Sequence, residues 1–105
     1  MRVNTNRDIE KFISSLQKHT IAKTLRTIDL LEEFGFKLGM PHSKKLTANI
    51  FELRIRGDQE VRVFYCFHKD QCHLLCGFIK KSQKTPKNEL LKAINKYKLL
   101  LLDTV

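Results

Sequence analysis

Two arginines, Arg54 and Arg62, are the residues of this sequence whose type and spacing most directly suggest chemistry. Each lies in a run of alternating apolar and polar residues, which is typical of a strand with one buried face. The loop at residues 57–59 has an odd length, so a hairpin would place both guanidinium groups opposite each other. Like charges so placed destabilise a sheet by about 0.2–1 kcal/mol, whereas guanidinium groups suit bidentate binding of phosphate. The pair therefore predicts an anion site; the alternative is two solvated arginines on an exposed face.

A small antiparallel sheet must position this pair. Residues 51–56 and 61–67 are predicted to form its first two strands, and residues 72–78 form a third after a tight polar turn. The register that keeps one face apolar sets Val61 against Phe78 and leaves the opposite face open. Basic and polar side chains are therefore expected together on that open face.

The face that is predicted to be open also carries four further candidate side chains: Glu52, Phe64, His68 and His73. Glu52 could accept a proton from a substrate hydroxyl, or it could form a structural ion pair with a neighbouring arginine. Phe64 could stack on a nucleic-acid base. The two histidines titrate in a range useful for proton transfer, although a histidine near a turn is often incidental.

Further basic residues lie near the ends of the predicted strands. They could hold phosphates that flank the bound anion or stabilise a charged transition state, and the alternative is a set of solvated basic turns. The segment 42–46, which precedes the first strand, is predicted to be a loop. The basic residues assigned to these positions are Lys44, Lys45, Arg56, Lys80, Lys81 and Lys84.

Charge and length agree with a single domain that binds a polyanion. The chain has 105 residues with 20 Lys and Arg against 11 Asp and Glu, a formal net charge of +9. This is the charge expected of a nucleic-acid-binding protein, although an acidic protein partner would fit it equally well. One domain covering residues 1–105 is predicted, because the chain is long enough for one core only.

Helices are expected on both sides of the strands. Apolar residues at helical spacing in segments 9–16 and 21–31 predict two helices that pack as a hairpin on the apolar face of the sheet. Thr20 is expected to cap the second helix, and Gly35 to end it. A last helix is predicted to begin at residues 85–86, a Thr-Pro pair.

The cysteines and the hydropathy pattern exclude several classes of protein. Cys72 and Cys76 are four residues apart on one predicted strand, roughly 13 Å, which is too far for a shared tetrahedral metal ion. With Cys66 they are predicted to be reduced core residues, and no metal or cofactor is expected. The longest apolar run, residues 99–102, cannot span a membrane, and the N-terminus has no apolar leader. A cytoplasmic location is predicted, with residues 99–102 docking on the domain or on another chain.

Five segments in order resemble the motifs of one protein family. They are residues 30–35 (LLEEFG), 41–46 (PHSKKL), 51–56 (FELRIR), 61–65 (VRVFY) and 78–86 (FIKKSQKTP), followed by Glu89 and Ala93. Together they resemble the phage-derived Gp49-like HigB toxins of the RelE/ParE superfamily, over about residues 20 to 95.

The resemblance implies a RelE-like α+β fold. An N-terminal αα-hairpin would pack on a small, twisted, antiparallel sheet, with a helix at the C-terminus. The N-terminus departs from the family pattern, because residues 2–6 are too short and polar to supply the usual first strand. Either the sheet is one strand smaller, or the chain lacks a native N-terminal piece.

The resemblance also implies the toxin of a type II toxin–antitoxin module. Such a toxin is an mRNA interferase that usually acts at the ribosome, and a helix-turn-helix antitoxin of the HigA kind neutralises it. The implied reaction is attack of a ribose 2′-OH on the adjacent phosphorus without a metal. Arg54 and Arg62 would clamp the phosphate, with Lys81 and Glu52 as further catalytic candidates. The alternatives are a non-catalytic basic module, such as a degenerate toxin, and a gyrase poison of the ParE kind.

Overall fold

A computed structural model describes residues 1–102 and confirms the α+β fold, with three helices and one five-stranded sheet. In chain order the elements are β1 (Val3–Asn4), α1 (Arg7–Ser14), α2 (Lys18–Phe34), a single 3₁₀ turn (Gly35–Lys37), β2 (Ser43–Lys45), β3 (Phe51–Ile55), β4 (Val61–His68), β5 (Gln71–Ile79) and α3 (Lys87–Leu102). None of the helices within residues 1–102 has the length and apolar character needed to cross a membrane.

The sheet has the strand order β1-β5-β4-β3-β2, so the three predicted strands form its centre. These three are antiparallel, as is β2 beside β3, whereas β1 runs parallel to β5. The pairing of β3 with β4 sets Arg54 opposite Arg62, which confirms the predicted register of this hairpin.

A β-bulge changes the predicted register of the next hairpin. Phe64 pairs with Cys76 while Tyr65 pairs with Leu74, so Leu75 is the extra residue on β5. Its carbonyl accepts hydrogen bonds from Asn6 Nδ2 at 3.2 Å and from Lys96 Nζ at 3.0 Å. Beyond the bulge every residue of β5 is shifted by one position relative to β4.

The shift corrects one predicted pair and moves the residues of β5 that follow the bulge to the other face of the sheet. Val61 pairs with Ile79 rather than with Phe78, so the predicted Val61 pairing is wrong. Gly77 lies on the same face as Val63, where a Cβ atom would come within 2.6 Å of the Phe12 ring.

The helical hairpin of α1 and α2 covers one face of the sheet, as predicted. Ile9 and Leu31 are fully buried there against strand residues such as Leu53 and Val63. The side-chain oxygen of Asn6 caps α1 by accepting a hydrogen bond from the backbone N–H of Ile9 at 2.9 Å.

Only the C-terminal end of α2 agrees with the prediction. Gly35 ends the helix with φ of +52°, a conformation that favours glycine. Thr20 is not the N-cap, because α2 begins at Lys18 and Thr20 is buried within it. Thr20 is instead one of three buried threonines of α2, with Thr24 and Thr27.

The opposite face is not open along its whole length, and this corrects the prediction. Helix α3 packs on one half of it, where Ala93 and Phe64 are both fully buried. The ring of Phe64 lies 5.3 Å from that of Phe78, centroid to centroid. The prediction that Phe64 stacks on a base is wrong, because the side chain belongs to a second core.

Two short edge strands were not predicted. Val3–Asn4 pair with Cys72 and His73 as β1, so of the two alternatives for the N-terminus a sheet one strand smaller is wrong. Segment 42–46 was predicted as a loop, but Ser43–Lys45 forms β2 beside β3. Strands of two or three residues carry too little periodicity to be recognised from sequence.

The predicted packing role of the cysteines is confirmed, since all three thiols are free and buried. Of the C-terminal leucines, Leu100 packs on the core beneath α3, whereas Leu99 and Leu102 are exposed. The predicted docking of residues 99–102 on the domain therefore holds for Leu100.

Candidate phosphate-binding site

Helix α3 covers only half of the sheet face that lies opposite the helical hairpin. The uncovered half forms a cleft of about 560 Å³. Arg54 and Arg62 lie on its floor, on neighbouring strands, and the segment that connects β5 to α3 forms its wall. The residues that line the cleft are Arg54, Arg56, Glu60, Arg62, Lys80, Lys81, Ser82 and Gln83. Five cations and a single carboxylate thus surround it.

A buried carboxylate holds the two arginines in place. Glu52, on the same face of β3, is 1% exposed. Its Oε1 accepts a hydrogen bond from Arg54 Nε at 3.0 Å and lies 3.6 Å from Arg62 Nε. This carboxylate offsets the repulsion expected between cross-strand arginines, so of the two roles considered for Glu52 the geometry shows the ion pair.

Arg62 is held from a second side. Its side chain is 5% exposed, and Nη1 donates to Glu60 Oε2 at 3.3 Å and to the Val61 carbonyl at 3.1 Å. Glu60 in turn accepts a backbone hydrogen bond from the Lys80 N–H at 2.7 Å, which ties the wall of the cleft to its floor. The guanidinium group is therefore fixed in orientation, as a preorganised anion site requires.

Arg54 is the more accessible member of the pair. Its side chain is 13% exposed, and Nη1 lies 4.0 Å from the sulfur of Met40 in the loop before β2. Because Nε is bound to Glu52, the Nη groups point away from the carboxylate and towards the cleft and that loop. An anion entering the cleft would meet this guanidinium group first.

The structure brings Arg54, Arg56, Arg62, Lys80 and Lys81 together, but it does not bring the other predicted cations to the cleft. Lys84 is exposed and does not line it. Lys44 pairs with Glu52 and shares the arginine face, whereas Lys45 lies on the other face with its Nζ 5.8 Å from the centre of the Phe51 ring.

The two candidate histidines lie at the far end of the β4–β5 hairpin. His68 is six residues from Arg62 on β4, roughly 20 Å along the strand. The rings of His68 and His73 are 6.3 Å apart, and burial lowers the pKa of His73. A role for either histidine at the phosphate held by the arginines is therefore incompatible with this geometry.

Sequence reasoning missed three cleft residues: Glu60, Ser82 and Gln83. Glu60 lies two residues before Arg62, and this spacing on an extended chain is the signal that could have identified it as an ion-pair partner. Ser82 and Gln83 lie in an irregular segment, where no periodicity indicates which way a side chain points.

The arrangement can bind a phosphodiester and stabilise additional negative charge on it. Guanidinium groups with fixed orientation bind non-bridging phosphate oxygens, and the lysines on the wall add positive charge within the same cleft. The cleft is open to solvent along its length. A nucleic-acid strand could therefore enter it from the side, without passing one end through first.

Comparison with known proteins gives a family and a fold. Residues 11–98 match the family described as phage derived protein Gp49-like (DUF891). No curated protein sequence gives a significant match.

The fold is similar to that of solved bacterial and archaeal toxins. A chain of the archaeal RelE–RelB complex from Pyrococcus horikoshii OT3 is 25% identical, with a TM-score of 0.58, over 80% of this chain and 97% of that chain. YoeB of Staphylococcus aureus is 14% identical to this chain. The TM-score is 0.55 for YoeB in its heterotetrameric complex with YefM and 0.56 for the YoeB dimer. Each match covers 78% of this chain and 97% of that chain. Since the family match spans most of the sequence, the chain belongs to the phage-derived Gp49-like family, and it has the fold of RelE/ParE-superfamily toxins.

Proposed function

We propose that this protein is the toxin of a toxin–antitoxin pair and that it cleaves RNA at the arginine cleft. The observation that carries the proposal is the pair Arg54 and Arg62, which converge on one open cleft while a buried carboxylate holds them in position. The fold supports it, because the similar RelE and YoeB chains were solved in complexes with RelB and YefM, and the second pair is described as toxin and antitoxin.

The proposed reaction is a transesterification within the RNA. The ribose 2′-oxygen attacks the adjacent phosphorus, the bond to the 5′-oxygen breaks, and a 2′,3′-cyclic phosphate remains. The 2′-OH loses its proton and the departing 5′-oxygen gains one. Negative charge increases on the non-bridging oxygens as the pentavalent state forms, so cations fixed beforehand lower the barrier.

The cleft residues have distinct roles in this reaction. Arg54 and Arg62 bind the non-bridging oxygens of the scissile phosphate, and Lys81 stabilises the charge that develops there. Glu52 acts as a positioning residue for both arginines, since it is buried beneath them and out of reach of a substrate hydroxyl. Arg56 and Lys80 hold the neighbouring phosphates.

The proposed biological target is mRNA at the ribosome, within the cytoplasm. The proposed regulator is an antitoxin of the helix-turn-helix, HigA-like kind, which follows from the resemblance to HigB toxins. No metal is assigned to the reaction, because side chains of the chain itself supply the cations around the phosphate.

A non-catalytic binding module is the second candidate, and one observation favours it. Arg62 is 4% exposed, and its Nη1 already contacts both Glu60 and the Val61 carbonyl. Substrate would have to reach the remaining edge of this guanidinium group. The two functions differ in whether bound RNA is cleaved.

The test is RNA cleavage by purified wild-type protein and by Arg62→Ala, with and without ribosomes. Wild type should yield fragments that end in a 2′,3′-cyclic phosphate, and loss of one transition-state donor should slow cleavage by about 10²–10³-fold. Arg7→Ala, at an exposed position on α1, is the matched control and should retain wild-type rates. Binding of RNA by the wild type without cleavage in either condition would establish the binding module instead, and an Arg62→Ala variant with wild-type rates would remove the arginine site.

A further inference from the structure

A second basic groove adjoins the arginine cleft, on the side facing α2. It has a volume of about 280 Å³ and is lined by Lys23, Arg26, Thr27, Leu30, Pro41, His42, Arg54, Ile55 and Arg56. Five of these described residues carry a basic group, and none carries a carboxylate. The groove therefore lacks the negative charge that Glu60 brings to the cleft beside it.

The sequence of α2 presents one side of the helix to this groove. Lys23, Arg26, Thr27 and Leu30 follow the spacing i, i+3, i+4, i+7, so they lie on one helical face. The cations of this face are exposed at the rim, whereas Thr27 is buried and Leu30 is half-buried at the base. An apolar floor beneath a cationic rim suits a nucleotide. The nucleobase has flat, apolar faces that can lie on the floor, and the charged phosphate can contact the rim.

Strand β3 extends beyond its pairing with β2 at this point. Strand β2 pairs with residues 51–53 only, and Arg54 N–H donates to the His42 carbonyl at 2.8 Å just beyond it. Lys23 Nζ lies 3.4 Å from the Arg56 carbonyl oxygen, which fixes α2 beside the end of β3. The groove thus has walls on both sides: α2 on one and the loop through Pro41 on the other.

Two residues belong to both depressions. Arg54 and Arg56 line the groove and also the arginine cleft, so there is no break in positive charge between them. A polyanion held at Arg54 can therefore continue in either direction along the surface. Single-stranded nucleic acid is the partner that such a track fits, since its charges repeat at regular intervals along the chain.

We propose that Lys23, Arg26 and His42 form a second RNA-binding site, which holds the phosphates and a base next to the scissile position. The inference rests on the proposed function, because it places the scissile phosphate in the cleft. It names the substrate class as single-stranded RNA longer than a dinucleotide. The cleft binds the scissile phosphate, and the groove extends the contact across the edge of the sheet to α2.

The test compares Lys23→Gln/Arg26→Gln with Arg7→Gln/Lys11→Gln. Each pair removes one lysine and one arginine from an exposed helical face, so the net charge of the two variants is equal. The probes are fluorescent oligodeoxythymidylates of two and eight nucleotides, which lack the 2′-OH and so are bound without being cleaved. Circular dichroism verifies that both variants are folded.

The α2 variant should bind the octanucleotide about tenfold more weakly than the control variant, and the dinucleotide equally well. Its slope of log affinity against log salt should be smaller by about 1.4, since each phosphate contact on a single strand contributes about 0.7. Equal affinity and equal slope for the two variants would overturn the inference. So would a loss of antitoxin binding, with oligonucleotide binding unchanged, because the groove would then serve a protein partner.

A failure of the second RNA-binding site can be distinguished from a failure of the proposed nuclease function. If wild type cleaves RNA while the α2 variant binds the octanucleotide as the control does, only the second site is wrong. If wild type binds the octanucleotide through α2 and cleaves no RNA, only the nuclease is wrong.

Discussion

Replacing Glu52 with glutamine tests whether this carboxylate holds the arginine pair together. The carboxylate is 1% exposed and lies between side chains that are 13% and 5% exposed, those of Arg54 and Arg62. In the Glu52→Gln variant, the guanidinium groups of Arg54 and Arg62 remain close together and largely buried, with no carboxylate between them. Breaking a buried ion pair by removing one partner costs about 3–5 kcal/mol, a large part of the roughly 5–15 kcal/mol that stabilises a typical domain.

The measurement is urea unfolding followed by far-ultraviolet circular dichroism, because the chain contains no tryptophan. Glu60→Gln is the control, since this carboxylate is 39% exposed and pairs with the same arginine, and it should cost at most about 1 kcal/mol. Should Glu52→Gln prove too unstable to isolate, the double variant Glu52→Gln/Arg62→Leu should be more stable than it, because it removes one of the two neighbouring positive charges that Glu52 separates.

A loss below about 1 kcal/mol for Glu52→Gln would refute this reasoning, because the cost assigned to an unpaired buried charge is several times larger. So would a double variant less stable than Glu52→Gln alone. In either case the arginines would be stabilised by something other than Glu52, and the cleft could not be called preorganised.

Three further predictions concern the two faces of the sheet. Phe64→Ala should lower the free energy of unfolding by about 3–5 kcal/mol, whereas Phe36→Ala, at a ring 62% exposed, should cost far less; similar values for both would contradict a core beneath α3. Gly77→Ala should destabilise the domain by about 1–3 kcal/mol in thermal unfolding, because its Cβ would lie 2.6 Å from the Phe12 ring, and a neutral result would show that this ring moves freely. Burial raises the pKa of Cys72 from 9.0 to about 12, so the thiol contributes stability that is complete below pH 9 and is lost as the pH rises towards 12. Urea midpoints should therefore fall above pH 9 more steeply for wild type than for Cys72→Val, and parallel curves would exclude this contribution.

The arginine pair was predictable because its register depends on two local features. The alternation in β3 and β4 identifies the buried face, and the odd loop between them leaves only one way to align those faces. Arg54 and Arg62 then had to be opposed, as they are. The short range of these constraints is why the sequence was sufficient.

The second face could not be predicted in the same way. The apolar side of α3 is visible in the sequence, but where the helix packs depends on contacts across the fold. Phe64 therefore read as an exposed residue although it lies in a core. The bulge at Leu75 adds to this difficulty, because its stabilising partners, Asn6 and Lys96, are distant in the chain.

The groove beside α2 was missed for a related reason. Lys23 and Arg26 belong to a helix assigned to the covering of the opposite face, and no local pattern shows that they reach the edge of β3. The wall of the cleft was easier to anticipate, since Lys80 and Lys81 follow directly after a recognised strand. Lysines that directly follow a recognised strand could be anticipated, whereas cations that reach the site only through the packing of α2 could not.

The extra residue in β5 makes this strand intolerant of changes in length. Cys72 and Leu74, before the bulge, pack beneath the helical hairpin, while Cys76 and Phe78, after it, pack beneath α3. Inserting or deleting one residue between them would send one of these sets to the wrong side. Substitutions among the apolar residues of β5 should therefore be tolerated far more readily than insertions or deletions within this strand. Differences in chain length are expected instead in the exposed segment at residues 82–84.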